Sequence, residues 1–203
     1  MTEPTYRTVA GEGRAAFEIA GSEFLGHVAP AGSVAEAEAF VEAVRAEHPD
    51  ATHTVPAYRV RADPLREWSS DAGEPTGSAG KPALNVLQQN DLENVVAVVT
   101  RYYGGTKLGV GGLARAYGRA VADAIDAAGV RAERPKQRFR VRVDYDDSGT
   151  VRGILESEGV EFDAAYEAAV TFEVVAPAAS AATVRDRLRS ATHGRATIEA
   201  ILA

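Results

Sequence analysis

The run Asn94-Val-Val-Ala-Val-Val-Thr100 constrains the fold more tightly than any other stretch of the chain. It is β-branched almost throughout and does not alternate with polar residues. A strand of that composition has no face to offer to water, so it is expected at the centre of a sheet, buried on both sides. The chain can meet that demand. Its 203 residues are 45% hydrophobic and 25% charged, enough for one large domain or two small ones, each with a core.

The surrounding pattern supplies the other elements. Strand-like runs lie near 5–10, 15–20, 23–29 and 53–61. Ser33 and Glu36 form a capping box for a helix that buries Val34, Ala37, Phe40, Val41 and Val44 and ends at His48-Pro49. A polar loop covers 69–82, and a short helix starts at Pro82 with Leu84 and Leu87 on one face. Residues 101–111 read as a glycine-rich turn. Residues 112–128 read as a helix burying Leu113, Tyr117, Val121 and Ile125 and stopped by Gly129. Arg131–Arg138 is charged, contains Pro135 and reads as a linker, which puts a domain boundary near 134.

Beyond it, Phe139, Val141, Val143 and Tyr145 alternate with Arg138, Arg140, Arg142 and Asp144, the period of a half-buried strand. Thr150 is expected to cap a helix carrying Val151, Ile154 and Leu155. Two further alternating runs follow, Val160–Tyr166 and Val170–Val174. Ser180 is expected to open a helix with Val184 and Leu188, stopped by Gly194, and Ile198, Ala200 and Leu202 form a last strand. The order βαββαβ over about 70 residues is that of the ferredoxin-like split βαβ.

Composition excludes several chemistries. With no cysteine there is no disulfide, zinc–thiolate site, iron–sulfur cluster or thiol nucleophile. The histidines His27, His48, His53 and His193 stand in no metal-ligand spacing, so neither a metal nor a cofactor is expected. A net charge of −7 argues against non-specific binding to DNA or anionic membrane, though not against a local basic patch. The strongest apolar run, Val95–Val99, is far too short to span a bilayer. Met-Thr-Glu-Pro-Thr at the start lacks the basic and apolar parts of a signal peptide, and a cytoplasmic protein is expected.

Against that acidic background one window stands out. The 29 residues between Glu93 and Asp123 contain no Asp or Glu, although the chain as a whole carries 29 acids in 203 residues. The same window holds Arg101, Lys107, Arg115 and Arg119. Bare N–H groups and the dipole at a helix N-terminus favour an anion. Gly104, Gly105, Gly109, Gly111 and Gly112 would let a ligand approach the backbone, Arg101, Lys107 and Arg115 would add charge, and Tyr102 or Tyr103 would stack a base. The bland alternative is that the glycines serve turns, one tyrosine is core and Arg115 and Arg119 line a solvated face.

Established phosphate motifs do not fit. Gly109-Val-Gly-Gly-Leu-Ala114 matches G-x-G-x-x-A, but the strand ends too far upstream and no acid-terminated strand follows at the required distance. Gly80-Lys81 is followed by Pro82 where a Walker loop needs a hydroxyl. Within the second glycine-rich loop, Asp71, Glu74, Thr76, Ser78 and Lys81 could converge on a site. Thr76-Gly-Ser-Ala-Gly80 narrowly misses a nucleophile elbow, and Ser78 and Lys81 are candidate anion ligands.

Taken together, Asp71-Ala-Gly-Glu-Pro-Thr-Gly-Ser-Ala-Gly-Lys-Pro82 and Val98-Val-Thr-Arg-Tyr-Tyr-Gly-Gly-Thr-Lys-Leu-Gly-Val-Gly-Gly-Leu-Ala-Arg-Ala-Tyr-Gly118 resemble the YigZ/IMPACT family of two-domain bacterial and archaeal proteins. The resemblance implies an α+β protein. Residues 1–133 would form an N-terminal domain of the ribosomal-protein-S-five domain-two type. Residues 134–203 would form a ferredoxin-like domain similar to the last domain of elongation factor G. Eukaryotic IMPACT, similar in the core domain, is a translational regulator that competes for the activator of an initiation-factor kinase. Two positions depart from the family pattern. Gly21-Ser-Glu-Phe24 has Glu23 where a basic residue is usual, and Ala72 replaces an Asp. A lost ion pair between those positions would explain both.

Three functions are therefore expected to compete. The first is binding of RNA or nucleotide phosphate, with RNA, the ribosome or a translation factor as partner. The second is a protein-interaction module acting through the C-terminal sheet. The third is an enzyme on a small phosphorylated or acylated substrate with Asp71 or Glu74 as acid/base.

Overall fold

A computed structural model of the protein describes residues 5–62 and 64–201. The chain divides into two compact units, one spanning Tyr6–Glu133 and the other running from Arg134 onward. Each is a mixed α+β structure.

The N-terminal unit contains β1 (Tyr6–Val9), β2 (Gly13–Ile19), β3 (Ser22–Pro30), α1 (Val34–Glu47), β4 (His53–Val60), β5 (Arg66–Ser69), α2 (Gly80–Gln89), β6 (Val95–Tyr102), α3 (Gly109–Ala128) and β7 (Val130–Glu133). Five strands form an antiparallel sheet in the order β2-β3-β6-β4-β5. The apolar run at 94–100 thus occupies the central strand. Val95, Ala97 and Val99 face the core beneath α2 and α3, and Val96 and Val98 face the core beneath α1. Alternation by two sends equally apolar side chains to both sides, which is why the sequence shows no polar face.

Ser33 accepts the Glu36 N–H at 3.1 Å and so caps α1, while the Glu36 carboxylate receives the Gly32 N–H at 2.8 Å. Helix α3 starts three residues earlier than expected, at Gly109. It lies so close to β2 and β3 that only glycine fits below it. A methyl group on Gly26 would sit 2.1 Å from the Ala120 carbonyl oxygen, and one on Gly13 2.2 Å from that of Ala124.

Two short strands differ from the sequence expectation. β5 falls within a segment without alternation. β7 takes the first three residues of the expected linker, 131–133, and pairs antiparallel with β1, from Tyr6 opposite Glu133 to Val9 opposite Val130.

The C-terminal unit contains β8 (Lys136–Val143), α4 (Tyr145–Ser157), β9 (Glu161–Tyr166), β10 (Val170–Pro177), α5 (Ala178–Ala191) and β11 (Thr197–Ala200). The four strands are antiparallel in the order β11-β8-β10-β9. Phe139, Val141, Val143, Phe172 and Val174 pack with Val151, Leu155, Val184 and Leu188 from the two helices. Helix α4 begins at Tyr145 after Asp144, so Thr150 lies inside it rather than at its cap. Asp146 and Asp147 in its first turn suit the helix dipole. Helix α5 starts at Ala178, two residues before Ser180. Leu202, expected in the last strand, lies outside the described residues.

Two substitutions to alanine test this packing in opposite directions. Gly26→Ala forces α3 away from the sheet and is expected to cost about 1–3 kcal/mol. Gly149→Ala, on the exposed side of α4 with nothing near its added methyl, is expected to gain up to about 1 kcal/mol. Denaturant midpoints of the two units read both.

Candidate functional site

The two glycine-rich segments come together at one end of β6, and Glu74 joins them. Its carboxylate is buried, with the side chain 3% exposed. Oε1 accepts from Arg101 Nη1 at 2.6 Å and from the Tyr117 hydroxyl at 2.7 Å. Oε2 lies 3.8 Å from His53 Nε2. The opposite ring nitrogen of His53 faces the Ala72 carbonyl at 2.9 Å, which requires Nδ1 to carry the proton. Arg101 Nη2 donates to Ser22 Oγ at 3.3 Å, and the same hydroxyl accepts the Gly104 N–H at 3.1 Å. One carboxylate therefore ties together the loop after β5, strand β6 and helix α3, and through Arg101 the start of β3. Burial, then the hydrogen bond to Glu74 and its negative charge, push the Tyr117 hydroxyl well above its ordinary pKa, so it stays protonated and donates.

This arrangement changes the expected roles of several residues. Arg101 is expected to face a phosphate, yet its guanidinium is buried and its charge is met by Glu74. Glu74 is expected as an acid/base, yet its carboxylate serves that ion pair.

Asp71 is likewise occupied. Its carboxylate accepts the N–H groups of Gly77 at 2.7 Å, Gly80 at 2.8 Å and Ala79 at 3.0 Å. Burial raises its pKa, but these three bonds outweigh burial and hold it below the usual carboxylate value. Asp71 is thus the anion at the N-terminus of α2. Ser78 is buried and its hydroxyl donates to the Pro75 carbonyl at 2.6 Å, a turn contact that leaves no nucleophile. Lys81 is exposed in the first turn of α2, at an end that Asp71 already fills.

The glycines divide in the same way. Gly104 is packed backbone to backbone, since a methyl there would sit 1.7 Å from the Gly21 carbonyl oxygen. Gly105 and Gly109 have φ of +88° and +68° and serve the turn. Gly111 and Gly112 lie in the first turn of α3, and that turn differs from its counterpart in α2. Neither turn has a bond from its N-cap side chain or an acidic residue of its own, but the start of α2 is met by Asp71 from the preceding loop, and among the described residues no carboxylate bonds the start of α3. Arg115, exposed one turn on, brings Nη1 within 3.6 Å of the position a Gly111 methyl would take. Lys107 is exposed just before the helix. Neither Lys107 nor Arg115 has an ion-pair partner among the described residues, whereas Arg119 pairs with Asp123 at 3.2 Å and lies over the Phe17 ring.

The tyrosines also separate. Tyr103 is 46% exposed at the tip of the turn. Tyr102 points to the other face of the sheet, where its hydroxyl meets His48 Nδ1 at 3.0 Å. There the His48 ring meets the His27 ring edge-on, with centroids 5.4 Å apart. His27 is buried and neither of its ring nitrogens has a hydrogen-bond partner. Burial first, then the positive charge of Arg14, outweighs the negative charge of Glu47 and pushes its pKa down to about 4. The sequence held no signal for this histidine pair.

The two departures from the family pattern lie on opposite faces. Ala72 packs against the core containing Phe24, and its φ of +47° is one that alanine rarely adopts. Glu23, next to Phe24 on β3, points to the other side. The two positions do not face each other as an ion pair would.

Among the described residues no group of three or more His, Asp or Glu is placed to hold a metal ion, and no helix is long and apolar enough to cross a membrane.

Residues 20–125 match the family model of the Impact N-terminal domain, and residues 141–195 match a domain of unknown function, DUF1949. The chain is 37% identical over 187 residues to the IMPACT family member YigZ of Escherichia coli K12, covering 91% of this chain and 92% of that protein. It is 32% identical over 196 residues to the IMPACT family member YvyE of Bacillus subtilis 168, covering 96% and 90%. A crystal structure described as that of a hypothetical protein superposes with a TM-score of 0.74 at 34% identity, covering 99% of this chain and 98% of the other.

Two predictions follow from the buried groups. Glu74→Ala leaves the Arg101 guanidinium buried without its counter-charge and is expected to cost about 3–5 kcal/mol of unfolding free energy. For His27, the folded pKa lies below the unfolded one, so its contribution is complete above about pH 6.5 and is lost as pH falls toward 4. Stability is expected to drop by roughly 2–3 kcal/mol over that window. His27→Gln should flatten the profile there; an unchanged acid limb would contradict the assignment. Asp71, a depressed acid, contributes above about pH 4 and is lost only below it, which separates the two effects.

Proposed function

The chain belongs to the IMPACT family, and from that premise we propose that it binds the phosphate groups of RNA or a nucleotide at the N-terminus of α3, in the service of translation or its regulation. The observation that carries this reading is the contrast between two helix ends in one unit. At the start of α2 the Asp71 carboxylate accepts the N–H groups of Gly77, Ala79 and Gly80. Helix α3, twenty residues long, shares with α2 the lack of an N-cap side-chain bond and of a first-turn acid, but no carboxylate among the described residues bonds its start, and it is flanked by the exposed cations Lys107 and Arg115. Free N–H groups, the helix dipole and two cations favour an anion from outside. Gly111 leaves the backbone of that turn open, Gly112 is packed against the Leu108 side chain, and Arg101 has no part in the contact.

The translation link rests on the family resemblance, since eukaryotic IMPACT, similar in the core domain, is a translational regulator. The cytoplasm, and the ribosome or a translation factor as partner, fit that reading. We take the N-terminal domain, 1–133, as the ribosomal-protein-S-five domain-two type and the C-terminal domain, 134–203, as ferredoxin-like. The strand order of the second, outer-first-third-second in chain order, with every neighbour antiparallel, supports the latter.

A second reading, a protein-interaction surface, is favoured by the C-terminal sheet. On the face away from α4 and α5, Arg138, Arg140 and Arg142 on β8 are exposed between Glu161 and Asp163 on β9, Glu173 on β10 and Glu199 on β11. Loss of ribosome or factor capture on Arg142→Glu, with phosphate binding intact, would support it. The enzymatic reading is the weakest, because Asp71 and Glu74 are both engaged in holding the fold.

Titration of a labelled RNA oligonucleotide against salt tests the phosphate reading. Affinity should fall with salt. Lys107→Ala should weaken binding to all sequences alike and reduce the log–log slope by about one. Absence of binding at low salt, or a flat slope, would contradict it.

A further inference from the structure

Tyr103 is large, aromatic and exposed, yet it is held firmly. Its backbone N–H donates to Thr52 Oγ1 at 3.0 Å. The Arg101 guanidinium carbon lies 5.3 Å from the centre of its ring, and 5.4 Å from that of Phe24. Arg101 itself is fixed by Glu74 and Ser22, with only 6% of its side chain exposed. The cation that supports the Tyr103 ring is therefore immobile. A ring ordered before binding loses little entropy when something packs on it, which is what separates an anchor from an ordinary exposed tyrosine.

The chemistry of the ring's free side narrows the occupant. A guanidinium near an aromatic ring draws on its negative face, so a second cation gains less on the other side and an electron-rich π-surface gains more. Purines offer such a surface. Tyr103 precedes Lys107 by four residues and the start of α3 by six, in the same turn, so base and phosphate would be held by one continuous segment of chain.

We propose that Tyr103 is a stacking platform for an unpaired nucleobase, purine before pyrimidine, whose attached phosphate lies at the α3 N-terminus. This rests on the phosphate-binding reading and narrows it to single-stranded nucleic acid or a free nucleotide, excluding duplex, whose bases are already stacked and covered. The assignment falls to Tyr103 and not Tyr102, whose ring lies on the opposite face of the sheet with its hydroxyl on His48.

The test uses the full chain and fluorescein-labelled oligonucleotides at low salt: a purine single strand, an abasic strand with the same phosphates, and the purine strand annealed to its complement. The purine strand is expected to bind roughly 5- to 150-fold more tightly than the abasic strand, with the duplex resembling the abasic strand. Tyr103→Ala should remove that difference, and Tyr103→Phe should keep it. The Thr52 bond is made by the backbone, so both variants should fold; Tyr103→Phe, which keeps the ring over Arg101, should retain the thermal midpoint, and Tyr103→Ala should lower it only slightly. Competition by guanosine monophosphate at concentrations matching the strand's affinity would identify a free nucleotide as the occupant. Failure to compete would identify the strand. Equal binding of purine and abasic strands, or an unchanged preference in Tyr103→Ala, overturns the platform and leaves the phosphate reading standing. Binding of none of the probes overturns both.

Discussion

The ion pair between Glu74 and Arg101 is the contact on which the N-terminal unit's arrangement depends. The two residues are 27 positions apart, and both side chains are almost wholly buried. Such a pair does not stabilise a fold strongly in net terms, because both charges lose their hydration. Its effect is on position. Any displacement of the loop at 71–80 away from β6 would leave a bare carboxylate facing a bare guanidinium in a dry site. Tyr117 fixes the same carboxylate from α3, and Ser22 fixes the same guanidinium from the start of β3. The loop, the central strand and the long helix therefore hold one geometry.

That internal use of charge also decides what is left for a ligand. The acidic loop spends Asp71 on the N-terminus of α2 and Glu74 on Arg101. Arg119 is spent on Asp123. Lys107 and Arg115 remain exposed beside the one long helix of this unit whose start carries no anion of its own. The proposed site is thus what the fold leaves unneutralised, and it is smaller than the basic window at 94–122 suggests.

Much of the architecture was legible from local pattern. The run at 94–100 marked the central strand because burial on both faces removes polar alternation. Ser33 and Glu36 marked the start of α1. The alternation at 138–145 marked β8. What was not legible depended on distant partners. β7 is charged and follows Gly129, so it read as a linker until β1, more than a hundred residues away, supplied its pairing. The start of α4 is polar and contains Gly149, so packing of Val151, Ile154 and Leu155 sets its extent rather than local propensity. The candidate site failed in the same way. Counting acids along the sequence left Arg101 without a neighbour, while Glu74 reached it through the fold. The histidine pair His27 and His48 joins β3 to the end of α1 and had no signature in spacing.

The central claim is that, of the starts of α2 and α3, the first is filled by the protein's own Asp71 and the second is the proposed anion site. Titration of the isotopically labelled full chain with inorganic phosphate, followed by amide chemical shifts, compares them directly. The account predicts shifts at 109–112 and none at Gly77, Ala79 and Gly80, whose N–H groups are held by Asp71. Shifts of equal size at both helix starts, or none at 109–112, would contradict it.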